Sequence, residues 1–287
     1  MIAMSAFSTL IDVETLATRL DRCVVVDCRN DLFDRSRGRV LYGEAHIPGA
    51  WFLSIDDDLA SPKGDGRRGR HPLPERQALR QRLEGLGLSS GKQLVVYDAD
   101  NGSFAARLWW LARWLGHPEV AVLDGGYRAW VAAGYPVTAE PPRAPAAQGR
   151  MNEAQALTQP VPVADIVAAL GDPRLLVIDA RAGERYRGET EPLDPVAGHI
   201  PGALNRPFPQ NLRPDGRFKP AEVLRAEFAA LLGERAPDSV VHQCGSGVTA
   251  CHQMLAMEHA GLSGSRLYAG SWSEWCQDPA RPVARGA

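Results

Sequence analysis

VVVDCR at residues 24–29 and LLVIDAR at residues 175–181 are two apolar runs that both end in Asp-x-Arg. Short runs rich in Val, Ile and Leu are typical of strands buried inside a sheet. The pentapeptide HIPGA follows each run, at His46–Ala50 and again at His199–Ala203. Because these landmarks recur in the same order, the sequence predicts a tandem duplication.

Short β-branched runs alternate with stretches of helical periodicity in each half of the chain. This alternation predicts an α/β fold, a tandem duplication of two domains that each contain a mainly parallel sheet flanked by helices. In the second half, the predicted strands span 174–178, 239–242 and 265–268, and the predicted helices lie near 163–170, 221–232 and 248–260.

The length of 287 residues suits two domains. The stretch 136–162 between the two halves is rich in Pro, Ala and Gln and shows no apolar periodicity, which is typical of an extended linker. We therefore predict an N-terminal domain at 1–135, a linker at 136–162 and a C-terminal domain at 163–287.

Composition and charge argue against several classes of protein. The 32 basic and 34 acidic side chains give a net charge of −2, so a broadly basic nucleic-acid binder is not expected. No apolar run approaches the roughly 18–20 residues that span a bilayer, so we expect no membrane association. The five cysteines include no Cys-x-x-Cys pair. This pattern predicts reduced thiols in the cytoplasm and no structural metal site.

The loop that begins at Cys244 carries most of the chemical signal. It follows a buried-strand pattern and precedes a helical pattern, at a place where backbone N–H groups and the helix dipole favour a thiolate. Gly245 and Gly247 allow the backbone to curl around the sulfur, and the hydroxyl groups of Ser246 and Thr249 are nearby donors. We therefore predict that Cys244 is a nucleophile.

Two other interpretations of Cys244 are less favoured. A buried cysteine commonly acts as a small apolar side chain, but the polar glycine-rich loop argues against that role here. A thiol phosphatase requires Cys-x5-Arg, and the sixth residue after Cys244 is Ala250. When the halves are aligned by their apolar runs, Ala99 takes the place of Cys244. The first half is therefore predicted to be catalytically inactive.

The paired Asp-x-Arg, the paired HIPGA and the loop CGSGVTA at 244–250 resemble the two-domain rhodanese (sulfurtransferase) family. The resemblance covers nearly the whole chain. It implies that the cysteine of the second domain takes a sulfur atom from a donor, becomes a persulfide and passes the sulfur to an acceptor. It implies no metal or organic cofactor. The loop amides of Gly245, Gly247, Val248 and Thr249 would cradle the sulfur.

The loop also resembles one subgroup of this family. Gly245-Ser246-Gly247 is similar to the 3-mercaptopyruvate sulfurtransferases, which implies that Ser246 helps to polarise the substrate. The resemblance assigns the donor's carboxylate to Arg185, a role that suits a guanidinium fork, with Arg187 as a nearby second cation. A second arginine that this subgroup often carries before HIPG is absent, since 191–195 reads EPLDP. In that respect the chain is closer to the thiosulfate:cyanide sulfurtransferases, which remain the alternative.

His46 is a further candidate. In some mercaptopyruvate enzymes, the histidine of the first HIPGA forms a relay with the loop serine, which would make His46 catalytic. Because His199 recurs in the second HIPGA, a structural role at a turn is the competing interpretation. The expected partners are a small-molecule sulfur donor and an acceptor, either cyanide or a thiol of the thioredoxin type. A non-catalytic persulfide carrier is the remaining alternative.

Two further segments have a structural and a functional interpretation. The basic, glycine-rich run Lys63–Arg70 is predicted to be a mobile surface loop, and a patch that attracts anionic donors is the less favoured alternative. Cys251 is predicted to be a buried helix position rather than a resolving thiol.

Overall fold

The computed structural model describes residues 6–286, and these form two compact units. Neither unit is continuous in sequence, whereas the predicted domains are continuous. The predicted linker 136–162 belongs to the N-terminal unit up to Leu157 and to the C-terminal unit from Thr158 onward. Within the described residues, the N-terminal unit comprises 6–60, Pro74–Leu157 and Pro214–Arg217, and the C-terminal unit comprises Ser61–Leu73, Thr158–Arg213 and 218–286.

The N-terminal unit contains a five-stranded parallel sheet with the strand order β1-β5-β4-β2-β3. The strands are β1 (Leu10–Ile11), β2 (Val24–Asp27), β3 (Trp51–Phe52), β4 (Leu94–Tyr97) and β5 (Val120–Leu123). The helices are α1 (Val13–Ala17), α2 (Arg37–Glu44), α3 (Arg76–Gly85), α4 (Ala105–Trp114) and α5 (Gly126–Ala132), with a 3-10 turn at Leu20–Arg22.

The C-terminal unit contains a four-stranded parallel sheet with the order β7-β6-β8-β9. Its strands are β6 (Leu176–Asp179), β7 (Leu204–Asn205), β8 (Val240–Gln243) and β9 (Arg266–Leu267). Its helices are α6 (Val163–Ala168), α7 (Gly183–Tyr186), α8 (Ala221–Leu232), α9 (Thr249–His259) and α10 (Ser271–Trp275), with 3-10 turns at Phe208–Asn211 and Pro237–Ser239.

The predicted α/β tandem fold is confirmed. The central strands β2, β4, β6 and β8 are buried along their whole length, as expected for strands covered by helices on both faces. The three helices predicted in the second half correspond to α6, α8 and α9. Among residues 6–286, no helix is both long and apolar enough to cross a membrane.

The two Asp-x-Arg motifs form equivalent locks at the ends of β2 and β6. Arg29 binds the Asp27 carboxylate at 2.6 Å and donates to the Ala45 carbonyl at 2.6 Å. Arg181 binds the Asp179 carboxylate at 2.7 Å and donates to the Gly198 carbonyl at 2.7 Å. Each lock therefore ties the end of a strand to the segment that leads into HIPGA.

Candidate active site

Cys244 lies between the end of β8 and the start of α9, as the sequence predicts. Its Sγ accepts a hydrogen bond from the Gly247 amide at 3.1 Å. Its own amide donates to Ser271 Oγ at 3.1 Å, and the residue is only 2% exposed. The backbone thus holds the sulfur in a fixed place with an N–H directed at it.

The two glycines of the loop have different reasons to be glycine. Gly247 has a φ of 76°, and a methyl group there would collide with the Ala269 carbonyl oxygen. At Gly245 a methyl carbon would instead lie 2.7 Å from Nη2 of Arg70 and 3.5 Å from Nη1 of Arg185. Gly247 is required by the backbone, whereas Gly245 leaves room for two guanidinium groups.

Ser246 shares a hydrogen bond with His71, with 2.8 Å between Oγ and Nδ1. Both residues are buried. An imidazole held against a hydroxyl beside a thiol is able to pass a proton to or from a bound molecule. His71 could not be predicted from the sequence, because no local pattern reveals a contact between positions 175 residues apart.

Arg185 and Arg70 are held by two carboxylates of the segment before the second HIPGA. Arg185 donates from Nη2 to Glu191 at 2.6 Å and lies 3.5 Å from Asp194. Asp194 also forms an ion pair with Nη1 of Arg70. Both guanidinium groups are therefore oriented beside the loop that follows Cys244. The prediction that Lys63–Arg70 is a mobile surface loop is wrong at its end, because Gly69 is buried and Arg70 is paired.

Arg181 adds a third cation. Burial would lower the pKa of its guanidinium, but Asp179, Glu191 and Cys244 stabilise the charged form and raise the pKa overall. Arg187, by contrast, forms an exposed ion pair with Glu189 at 2.7 Å. The side-chain nitrogens nearest to Gly245 belong to Arg70 and Arg185, so the structure does not bring Arg187 to that position.

The remaining loop residues begin the helix. Val248 is the N-cap of α9, and Thr249 is its first residue. Among the predicted cradle amides, the Gly247 N–H is the one that contacts Sγ. Cys251 is fully buried, and its thiol donates to the Gly247 carbonyl at 3.3 Å. Among residues 6–286, no group of three or more His, Cys, Asp or Glu side chains is placed to hold a metal ion.

His46 is buried within the N-terminal unit. Its Nδ1 lies 2.8 Å from the Tyr42 carbonyl and its Nε2 lies 3.0 Å from the Glu140 carbonyl. His199 makes an equivalent Nδ1 contact of 2.8 Å with the Tyr186 carbonyl. The ring of His46 stacks on Tyr42, and the ring of His199 stacks on Tyr186. Because backbone carbonyls occupy both nitrogens of His46, the geometry favours the structural interpretation over the predicted relay. The partner of Ser246 is His71.

The alignment that pairs Ala99 with Cys244 is wrong by one residue. The amide of Cys28 donates to the Tyr97 carbonyl, and the amide of Ala180 donates to the Gln243 carbonyl. Tyr97 and Gln243 are therefore equivalent, and Asp98 is the counterpart of Cys244.

A comparison with protein families agrees with this duplicated architecture. The model of the rhodanese-like domain matches residues 12–133 and again residues 163–278. The chain belongs to the rhodanese-like family. The predicted class, a two-domain rhodanese sulfurtransferase, is thereby confirmed.

Individual relatives cover nearly the whole chain. A protein of Pseudomonas aeruginosa named "Probable 3-mercaptopyruvate sulfurtransferase" is 49% identical over 281 residues, which are 96% of this chain and 98% of that protein. The thiosulfate sulfurtransferase of Cricetulus griseus is 38% identical over 83% of this chain and 80% of its own length. The structure of 3-mercaptopyruvate sulfurtransferase from Leishmania major superposes with a TM-score of 0.83 at 28% identity, covering 96% of this chain and 76% of that one.

Proposed function

We propose that the protein transfers a sulfur atom from 3-mercaptopyruvate to a thiol or to cyanide, through a persulfide on Cys244, and releases pyruvate. The observation that carries this donor assignment is the Ser246–His71 hydrogen bond in the loop of the nucleophile. Removal of sulfur from 3-mercaptopyruvate leaves a carbanion that needs a proton, whereas thiosulfate leaves sulfite, which needs none. A hydroxyl–imidazole pair is therefore useful for the first donor and unnecessary for the second.

In the first half-reaction, the Cys244 thiolate attacks the sulfur of 3-mercaptopyruvate. An S–S bond forms and the C–S bond breaks, and its electron pair goes to the carbon that becomes the methyl group of pyruvate. The carbanion is stabilised as its enolate, whose oxygen Ser246 is suited to bind, and a proton then adds to the carbon. The products are pyruvate and the Cys244 persulfide.

In the second half-reaction, the acceptor attacks the outer sulfur of the persulfide. The S–S bond breaks, its electron pair returns to the Cys244 sulfur, and the acceptor leaves as a persulfide or as thiocyanate. The Gly247 amide, which contacts Sγ at 3.1 Å, stabilises the thiolate that is consumed and regenerated. The proposed cycle uses no cofactor other than the covalent persulfide. A reduced thioredoxin-like thiol in the cytoplasm is the acceptor that we favour.

Arg185 is proposed to bind the carboxylate of the donor. Its guanidinium lies beside Gly245 and is held from behind by Glu191 at 2.6 Å. A planar fork that is already oriented loses little conformational entropy when it binds a carboxylate. Removal of this side chain should raise KM more than it lowers kcat, because the contact is made in the ground state as well.

Thiosulfate is the alternative donor. It is favoured by the concentration of guanidinium groups at the loop, since Arg70 and Arg185 both face Gly245. A relative that is 38% identical also carries the name thiosulfate sulfurtransferase. A non-catalytic persulfide carrier would bind sulfur at Cys244 without turnover.

The test is a comparison of both donors with cyanide as the common acceptor. We expect kcat/KM to be higher for 3-mercaptopyruvate, and Ser246→Ala to lower it for that donor by about tenfold to a hundredfold. The same variant should leave thiosulfate turnover within about twofold, which makes thiosulfate the internal control. A preference of the wild type for thiosulfate, or equal losses for both donors, would overturn the donor assignment. No turnover of either donor would favour the carrier.

A further inference from the structure

Two guanidinium groups converge on the backbone next to the nucleophile. At Gly245, the residue after Cys244, the nearest side-chain atoms are Nη2 of Arg70 and the two amino nitrogens of Arg185. A methyl carbon on Gly245 would lie 2.7 Å from the Arg70 nitrogen and 3.5 and 3.6 Å from those of Arg185. Donor hydrogens from two side chains are therefore gathered at one point of the loop.

The counter-charges lie behind these cations. The side chains of Glu191 and Asp194 are only 2% and 3% exposed, while those of Arg185 and Arg70 are 18% and 22% exposed. Asp194 joins the two, because one of its oxygens binds Arg70 and the other lies 3.5 Å from Arg185. The buried carboxylates thus orient the two guanidinium groups, and in each ion pair the guanidinium is more exposed than the carboxylate.

We propose that Arg70 is a donor-binding residue, which forms with Arg185 a two-guanidinium clamp for the anionic end of the sulfur donor. This inference rests on the proposed function and concerns the same site. The anionic end is the carboxylate of 3-mercaptopyruvate or the sulfonate-like group of thiosulfate. The carboxylate is planar and the SO3 group of thiosulfate is pyramidal, and each presents a pair of oxygens to which a guanidinium fork can donate two hydrogen bonds. The clamp also accounts for the absence of an arginine in the segment 191–195.

The Arg70 side chain is not needed to hold its own backbone in place. The Arg70 amide donates to Ser273 Oγ at 3.0 Å, and the neighbouring His71 is fixed by Ser246 at 2.8 Å. The amide of Ser61, at the start of this segment, is bonded to the Pro72 carbonyl at 3.0 Å. Removal of the guanidinium should therefore leave the Ser61–Leu73 segment folded.

The first test uses the charge of an alkylating reagent and does not depend on turnover. Iodoacetate and iodoacetamide both transfer a methylene group to a thiolate with loss of iodide, but only iodoacetate carries a carboxylate. For each protein, mass spectrometry of the Cys244 peptide gives the ratio of the two rates. Because both reagents attack the same thiolate, the ratio reports the cations around it. We expect Arg70→Ala to lower the ratio by about tenfold.

Arg67→Ala is the matched control. It removes the same charge from the same segment, but its guanidinium is 85% exposed and pairs with Asp65. The control should leave the ratio within about twofold, since exposed charges are strongly screened. An equal ratio in wild type and Arg70→Ala would overturn the proposal, whether or not the protein turns over either donor.

The second test measures steady-state kinetics with 3-mercaptopyruvate and with thiosulfate. Arg70→Ala should raise KM by about tenfold for either donor that the wild type uses, with a smaller change in kcat. Arg70→Lys should recover part of this loss, because it keeps the charge and loses the fork. A fall in kcat with an unchanged KM for both donors would show that Arg70 does not bind the donor.

Gly245→Ala probes the same clamp from the other side. Its methyl group would displace Nη2 of Arg70, while the backbone of Gly245 lies outside the positive-φ region. The two substitutions should therefore be non-additive, with the double variant Gly245→Ala/Arg70→Ala close to Arg70→Ala in KM. Additive effects would contradict the assignment of this space to Arg70.

Discussion

Asp98 and Cys244 occupy the same position in the two sheets, one residue beyond the end of β4 and of β8. The Asp98 carboxylate accepts hydrogen bonds from the amides of Gly102 at 2.9 Å, Phe104 at 2.8 Å and Ala105 at 3.2 Å. At the corresponding place, the Cys244 sulfur accepts one from Gly247 at 3.1 Å. Both units therefore direct backbone N–H groups at the side chain in this position, which is a carboxylate in one unit and the proposed nucleophile in the other.

The difference shows what the fold supplies and what the cysteine adds. Burial raises the pKa of Asp98, although three backbone hydrogen bonds oppose the shift. In the N-terminal unit the amides at the start of α4 are thus occupied by the chain's own carboxylate. In the C-terminal unit the loop to α9 is two residues shorter, since Thr249 is five residues after Cys244 and Ala105 is seven after Asp98.

The largest expected effect comes from moving the nucleophile between these positions. Cys244→Ser should lower sulfur transfer at least about a thousandfold, because a serine hydroxyl neither forms a persulfide nor ionises near neutral pH. Adding Asp98→Cys to that variant should not restore transfer, since the N-terminal loop has no counterpart of Ser246. Cys23→Ser is the control and should retain activity. Transfer by the doubly substituted protein would show that the two loops are interchangeable.

A second expected effect concerns acid stability. His242 in β8 takes the place of Val96 in β4, and burial together with Arg206 lowers its pKa to about 3. The folded state keeps His242 neutral while the unfolded chain binds a proton below its ordinary pKa of 6.5, so stability is lost as the pH falls from 6.5 towards 3. Between pH 7.5 and pH 5 this amounts to about 2 kcal/mol.

Replacement of His242 by Val makes the two strands alike and should remove this slope. The measurement is urea unfolding at several pH values, followed by tryptophan fluorescence. The absolute stability of His242→Val is not the readout, because a smaller side chain also leaves a cavity. An unchanged dependence on pH in the variant would assign the acid sensitivity to other groups.

Tyr97 and Gln243 offer a third comparison. Tyr97 Oη donates to Asp27 at 2.9 Å and accepts from the Ile47 amide at 3.2 Å, so it joins the strand-end lock to HIPGA. The equivalent Gln243 is fully buried, and the nitrogen and oxygen of its side-chain amide find no hydrogen-bond partner within residues 6–286. Tyr97→Phe should cost about 1–3 kcal/mol of unfolding free energy, since it leaves buried polar groups unpaired. A loss below about 0.5 kcal/mol would mean that the hydroxyl is dispensable there.

The smallest effect is expected at Ser271, which stands where the N-terminal unit has Gly126. Ser271 has a φ of 53°, and Gly126 has a φ of 59°. The serine hydroxyl accepts a hydrogen bond from the Cys244 amide at 3.1 Å and donates one to the Tyr268 carbonyl at 2.9 Å. These two hydrogen bonds explain why a residue other than glycine occupies this strained position. Ser271→Gly should change stability by less than about 1 kcal/mol, because relieved strain offsets the lost hydrogen bond.

The same substitution should lower kcat about threefold to tenfold, because Cys244 loses a support. Ser273→Gly in the same helix is a poor control, since Ser273 contacts Arg70, and Ser263→Gly at the surface is the better one. Full activity in Ser271→Gly would make the strained conformation unrelated to the nucleophile.

Much of the fold and part of the site could be predicted from the sequence. The buried runs that precede Asp27 and Asp179 and the loop at Cys244 are local patterns, and local patterns define strands, turns and a thiol at a helix start. The predicted counterpart of Cys244 in the first half is wrong by one residue, because a continuous apolar run contains nothing that fixes its register against another such run. Hydrogen bonds to the Tyr97 and Gln243 carbonyls supply that mark.

The remaining part of the site depends on contacts that are distant in sequence. Arg70 and His71 lie in a basic, glycine-rich segment whose composition is that of an exposed loop. Their positions follow from the ion pair with Asp194 and the hydrogen bond to Ser246, which join residues 124 and 175 positions apart. Only tertiary packing reveals such pairs.

The segment Ser61–Leu73 belongs by its contacts to the C-terminal unit, although it is encoded between two parts of the N-terminal one. Conversely, Pro214–Arg217 belongs by its contacts to the N-terminal unit, although it is encoded between two parts of the C-terminal one. A gene fragment that begins after residue 157 would therefore encode the thiol without Arg70 and His71. Because of this exchange, a recombination event that trims the duplicated gene to its second half would separate the thiol from two side chains of its own unit. On the proposed mechanism, the two copies must therefore be inherited together.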